Sequence, residues 1–283
     1  MLVRTGLTLV CAALAAGSAV VASPPLAAAA GVVLTPHRAI YDLRLLRTRG
    51  KKDIEAVRGR ILYDFSGSPC AGYALNFRQV SELATGENKT ALSDLRASTW
   101  EEGSAKRFKF SSENLLDDKT IDKVDGQAER GADHVEVKLA QPKDKTFDLD
   151  HAMVFPAEHM RRIIEAAQEG KNILELPVYD GSENGEKIYS TMTLIGREIA
   201  PNEKMPTDAA AGQAALAGLK RWPVTISYFD RNDKARGEQT PVYSISFELY
   251  ENGISRALAL DYEDFVVAGE MSQLEIKEPP PCK

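Results

Sequence analysis

The sequence predicts an all-β domain that works outside the cytoplasm and is stapled by a disulfide, and three observations carry that expectation. Apolar and polar residues alternate in one short run after another from His37 to Ile276, separated by Gly, Pro and Asn-Gly signals, the pattern of a sandwich or barrel. The chain opens on a segment of leader composition. Of its three cysteines, Cys70 and Cys282 lie beyond that segment, an even number.

The leader reading covers residues 1–30. Arg4 is its single charge, an apolar run spans Leu7 to Val21, and the small-residue site Ala28-Ala29-Ala30 places cleavage near Ala30. A membrane anchor is disfavoured because Gly17, Ser18, Ser23, Pro24 and Pro25 interrupt the run before about 20 apolar residues accumulate. Cys11 leaves with the leader. No later segment has the length and hydropathy of a membrane-spanning helix. The remaining chain, 31–283, is expected to form a single β domain, since all-β folds of this size often do not divide. The formal charge of −6 over the whole chain argues against nucleic acid as a partner. In an oxidising compartment the cysteine arithmetic favours a Cys70–Cys282 disulfide, the other reading being two buried thiols.

The elements follow in order. Ala39, Tyr41, Leu43 and Leu45 alternate with polar neighbours from His37 to Thr48. After the polar turn RTRGKKD, Val57, Gly59, Ile61, Tyr63 and Phe65 share one side of a second strand, which Gly67-Ser68-Pro69 ends. Tyr73, Leu75 and Phe77 begin a third. Four shorter runs follow, Leu92–Trp100, Lys106–Phe110, Thr120–Val124 and His134–Leu139, with Gly103, Asp125-Gly126 and Gly131 as the breaks between them. A helix starts at Pro156, with Met160, Ile163, Ile164 and Ala167 forming one apolar stripe and Gly170 its stop; it should lie against or inside the sheet. Strands resume over Ile173–Tyr179 and from Ile188. A second helix is expected over Asp208–Lys220. Val224, Ile226 and Tyr228 then alternate, and Tyr243, Ile245, Phe247 and Leu249 lead to Asn252-Gly253, the signature of a two-residue hairpin turn. The last strand, Phe265–Ile276, runs into PPPCK.

Chemistry is harder to find. His151 and His159 stand near Asp148, Asp150 and Glu158, but in no metal-ligand spacing, and the expectation is an ordinary surface; His37 and His134 are isolated. The Gly67–Gly72 segment lacks the spacing of a nucleophile turn and leads into a strand. No phosphate loop or other cofactor motif is found. The expectation is therefore a protein that is not an enzyme and takes no cofactor. A basic cluster, Arg44, Arg47, Arg49, Lys51, Lys52, Arg58 and Arg60, falls on one hairpin; it is either a contact for anionic lipid or phosphate, or a charge-protected edge. Tyr63, Phe65, Tyr73, Phe77, Trp100, Phe108 and Phe110 either pack as core or line an apolar groove.

Taken together, HRAIYDLRL, SGSPCAGYALNFRQVSEL, FPAEHM, LPVYDGSENGEKIY, WPVTISYFD, SFELYENGISRALALDY and the terminal cysteine resemble the EipB family of periplasmic cell-envelope integrity proteins of alphaproteobacteria. The likeness runs from His37 to Cys282. It implies a single antiparallel broken barrel or β-spiral of about fourteen strands with two helices packed on or in it, a disulfide mapping onto Cys70 and Cys282, and a periplasmic role in envelope integrity and stress resistance. The expected partner is another periplasmic envelope protein, the alternative a lipid or lipoprotein carried as LolA-like open barrels do.

Overall fold

Strand alternation sets the architecture. In β1 (His37–Thr48) the buried residues Ala39, Tyr41 and Leu43 alternate with exposed or half-exposed Arg38, Ile40, Asp42 and Arg44. β2 (Ile54–Ser68) buries Val57, Ile61 and Phe65 in the same rhythm. A computed structural model describes residues 31–49, 54–86, 89–201, 203–204, 206–209, 213–231 and 239–282. The expected leader at 1–30 and Lys51 and Lys52 of the basic cluster lie outside the described residues.

Twelve further strands follow: β3 (Gly72–Thr85), β4 (Lys89–Glu101), β5 (Arg107–Leu116), β6 (Lys119–Arg130), β7 (His134–Gln141), β8 (Lys145–Asp150), β9 (Ile173–Val178), β10 (Tyr189–Ile195), β11 (Arg221–Asp230), β12 (Tyr243–Tyr250), β13 (Ser255–Asp261) and β14 (Phe265–Ile276). They form one antiparallel sheet in the order β8-β7-β6-β5-β4-β3-β2-β1-β14-β13-β12-β11-β10-β9. Each half is a meander of neighbouring strands. The pairing of β1 with β14, from His37↔Ile276 to Thr48↔Phe265, joins the halves. The sheet is not closed, since β8 and β9 are its two edges. Among the described residues the fold is thus a single antiparallel broken barrel of fourteen strands with two helices.

α1 (Pro156–Gln168) fills the inside. Ile163 and Ile164 are fully buried and join the core formed by Phe65, Tyr73, Trp222, Val224, Ile226, Phe247 and Leu249. A second core lies between β1, β2, β13 and β14, and a third holds Phe108, Phe110, Val124, Val137, Phe155 and Tyr179. A disulfide joins Cys70 to Cys282 across a sequence separation of 212, with Cα atoms 5.4 Å apart. It fastens the chain beyond β14 to the β2–β3 turn.

Several local expectations are corrected. The second helix, expected over Asp208–Lys220, is the single turn α2 (Ala214–Ala217) among the described residues. So short a helix cannot repay its nucleation from alanine propensity alone, and it is held by Leu216, buried in the second core. The Asp125-Gly126 break is no turn, because β6 runs through it. Glycine is needed there for close packing: a Cβ at Gly126 would meet Phe110, Leu139 and the Lys138 carbonyl at 2.6–2.9 Å. The reversal between β5 and β6 instead uses Asp117 and Asp118, both at positive φ (49° and 61°). In the β12–β13 connection only Gly253 (φ 89°) is left-handed, and the strands are separated by four residues, 251–254, rather than two. β8 was not anticipated. In β10 the buried residues are Tyr189, Thr191, Thr193 and Ile195, while Ser190 and Leu194 are exposed.

The connection from β10 to β11 is held by charge. Arg221, 1% exposed, donates through Nε to Glu248 Oε2 at 2.8 Å. Arg256 donates to the same oxygen at 2.5 Å and to Asp208 Oδ2 at 2.8 Å. Buried guanidinium groups are tolerable because each meets a carboxylate.

Candidate functional site

Between α1 and the inward faces of the strands lie two adjoining cavity lobes of about 200 Å³ each. They share His37, Tyr63, Met160, Ile226, Tyr228 and Gly253. One lobe is lined mainly by apolar and aromatic side chains, including Tyr41, Ile61, Phe77, Tyr243, Ile245 and Leu258. The other adds Thr35, Thr99, Glu101, His159 and Asp180. Such a lumen, preformed and lined with rings and a few convergent polar groups, is the usual form of a small-molecule site.

The sequence builds this site from both ends. α1 opens at Phe155-Pro156 with no side-chain cap of its own. Glu101, at the end of β4, supplies one instead: its Oε2 accepts the Ala157 N–H at 2.7 Å and its Oε1 the Glu158 N–H at 2.8 Å. A carboxylate suits the positive end of the helix. Burial nevertheless outweighs these bonds and raises its pKa to about 7. Arg130 fastens the approach to the helix, donating to the carbonyls of Ala105 (3.1 Å), Met153 (2.7 Å) and His151 and to Glu158 (3.0 Å).

Two neutral imidazoles face the lumen. His159 is 4% exposed, and burial lowers its pKa to about 4. Its Nε2 lies 3.4 Å from the Thr191 hydroxyl, which itself donates to the Leu176 carbonyl at 2.9 Å, so the imidazole N–H is the donor. Burial likewise lowers the pKa of His37, whose Nδ1 donates to the Thr35 carbonyl at 2.8 Å. Desolvation raises Asp180, against the bonds it accepts from Ser182, and pushes Tyr63 up to about 12. Aromatic rings continue along the wall. His37, Tyr63, Phe65 and Tyr73 stand 5.4–6.2 Å from ring to ring, and so do Tyr189, Tyr228, Tyr243 and Tyr262 at 5.3–5.8 Å.

The expected surface position of His159 is therefore corrected, because its place on the helix faces inward. Of the seven aromatics picked out in the sequence, Tyr63, Phe65, Tyr73 and Phe77 line the lumen. Phe108 and Phe110 pack as core. Trp100 lies outside the core clusters, with the Arg107 guanidinium 5.7 Å from its ring.

The basic hairpin is a mixed-charge surface. Arg44 and Arg58 are register partners across β1 and β2. Arg60 donates to Asp42 at 2.8 Å, however, and Arg49 pairs with Asp261. Of the described cluster members, Arg44, Arg47 and Arg58 form no ion pair with a described acid. Among the described residues no group of three or more His, Cys, Asp or Glu side chains is placed to hold a metal ion. None of the described helices is long and apolar enough to cross a membrane.

Comparison with known proteins gives three findings. The EipB-like family matches residues 28–278. The cell envelope integrity protein EipB of Brucella abortus (strain 2308) is 36% identical over 249 residues, which span 88% of this chain and 86% of that protein. A crystal structure from Brucella abortus, described as a β-barrel-like protein of a domain of unknown function, superposes with a TM-score of 0.79 at 34% identity, covering 87% of this chain and 99% of the other.

Proposed function

This chain belongs to the EipB-like family, and from that premise we propose that it supports the integrity of the cell envelope from the periplasm, acting by binding another envelope component rather than by catalysis. The observation that carries the reading is the lumen itself. It gathers rings and neutral imidazoles around a cavity, and its carboxylates are engaged with a helix terminus or a turn rather than with a nucleophile. Residues 1–30 act as the signal peptide, removed near Ala30, and the Cys70–Cys282 disulfide fits an oxidising compartment. Cells lacking the protein should lose resistance to detergent and regain it when the gene is restored; unchanged resistance in the deletion strain would contradict the reading.

The preformed lumen favours a second, narrower reading, that the bound component is a molecule with an apolar chain and the protein is its carrier. Solvent extraction of protein purified from the periplasm, followed by mass spectrometry, should recover such a molecule. Arg44, Arg47 and Arg58 offer the outer surface a contact for anionic headgroups. Sedimentation with anionic vesicles should then weaken as salt rises, and no sedimentation at low salt would rule that contact out.

A further inference from the structure

Asp180 follows β9 and lines the polar lobe of the lumen together with Tyr63, Phe65 and Tyr228. Its Oδ1 accepts the Ser182 N–H at 3.0 Å. No described basic side chain forms an ion pair with it. Glu101, the other carboxylate of the lobe, differs: two helix amides meet it, and Arg161 stands 4.0 Å away. Burial disfavours the charged form of both imidazoles of the lobe, which makes them poor counter-charges. A carboxylate drawn out of water without a counter-charge is costly. The aromatic rings that line the same lobe add the negative faces that attract cations. Among the described residues the lining of the neighbouring lobe has no carboxylate, lysine or arginine, and that lobe shares Tyr63, Met160 and Tyr228 with the first.

We propose that the lumen binds a single-chain amphiphile with a cationic head, an amine or quaternary ammonium group, placing the head against Asp180 and the rings of Tyr63 and Tyr228 and the chain in the apolar lobe. The inference rests on the carrier reading above and specifies the polarity of its cargo. The two lobes together reach the lower part of the range usual for ligand cavities, about 300–1,000 Å³.

Isothermal titration of the disulfide-intact protein with decyltrimethylammonium, decanol and decanoate, each below its micelle concentration, separates the two claims. The cation should bind about tenfold more tightly than the alcohol, and decanoate more weakly than either. Asp180→Asn keeps the acceptor for Ser182 and removes the charge. It should cost the cation about tenfold while leaving decanol within about twofold. Tyr228→Leu should also weaken the cation more than the alcohol. Equal affinities for cation and alcohol, a preference for decanoate, or an Asp180→Asn protein that melts normally and binds the cation unchanged would overturn the inference while leaving the carrier reading standing. Binding of none of the three would overturn both.

Discussion

Glu101 and His159 stand on opposite sides of the same energetic question, and pH separates them. A carboxyl whose folded pKa is raised keeps its proton longer in the folded state. From about pH 4.5 to about 7 the Glu101 contribution therefore falls as pH rises. An imidazole whose pKa is lowered sheds its proton earlier in the folded state. Between about pH 4 and 6.5 the His159 contribution is gained as pH rises and lost as it falls. The two slopes oppose each other. Glu101→Gln should remove the declining one, so that melting temperature climbs more steeply from about pH 4.5 to 6.5 than in the parent protein; calorimetry across that window checks it, and superimposable profiles would contradict the assignment. Neither residue announced its part in the sequence to the same degree. Glu101 ends an alternating strand, and its partners lie 56 and 57 positions later, so nothing local marks it. His159 did carry a signal: with Ile163 and Ala166 it falls at i, i+4 and i+7, a buried stripe beside the one drawn through Met160. Arg44 and Arg58 were legible as hairpin residues, whereas the acids that break up the cluster became visible only through strand register.

At the scale of elements, the strands were the most legible because alternation records which face is buried. β1 and β14 carry the bounds that their alternation implies. β8 was missed because its six residues, KTFDLD, hold only two apolar side chains. Gly126 misled because glycine serves close packing as readily as it serves turns, and α2 because alanine content says nothing of whether a helix is long enough to stand. The disulfide joins elements that the sheet already brings together, through β1 between β2 and β14. It closes a loop of 212 residues in sequence separation, and in the chain-entropy model it should contribute about 5 kcal/mol by restricting the unfolded chain. Cys70→Ser with Cys282→Ser should lower the melting temperature and speed proteolysis between 265 and 282, the stretch the bond fastens. Identical melting of the reduced and oxidised parent protein would show that the bond contributes nothing.

At the scale of the whole molecule, two meanders meet at the β1–β14 pairing and leave β8 and β9 as edges, with α1 inside. Alternation and turn spacing pointed to a barrel or sandwich, but strand order beyond neighbouring pairs is set by contacts between chain ends that local patterns do not encode. The lumen is a property of this scale alone, since its lining comes from strands of both meanders and from α1. On the proposed reading, this interior space serves envelope integrity. Ile245→Trp is the variant to make, because Ile245 lines the apolar lobe and the larger ring should extend into that space. The variant, verified to melt near the parent and introduced in place of the native gene, should fail to restore detergent resistance; full restoration by the filled protein would contradict the claim.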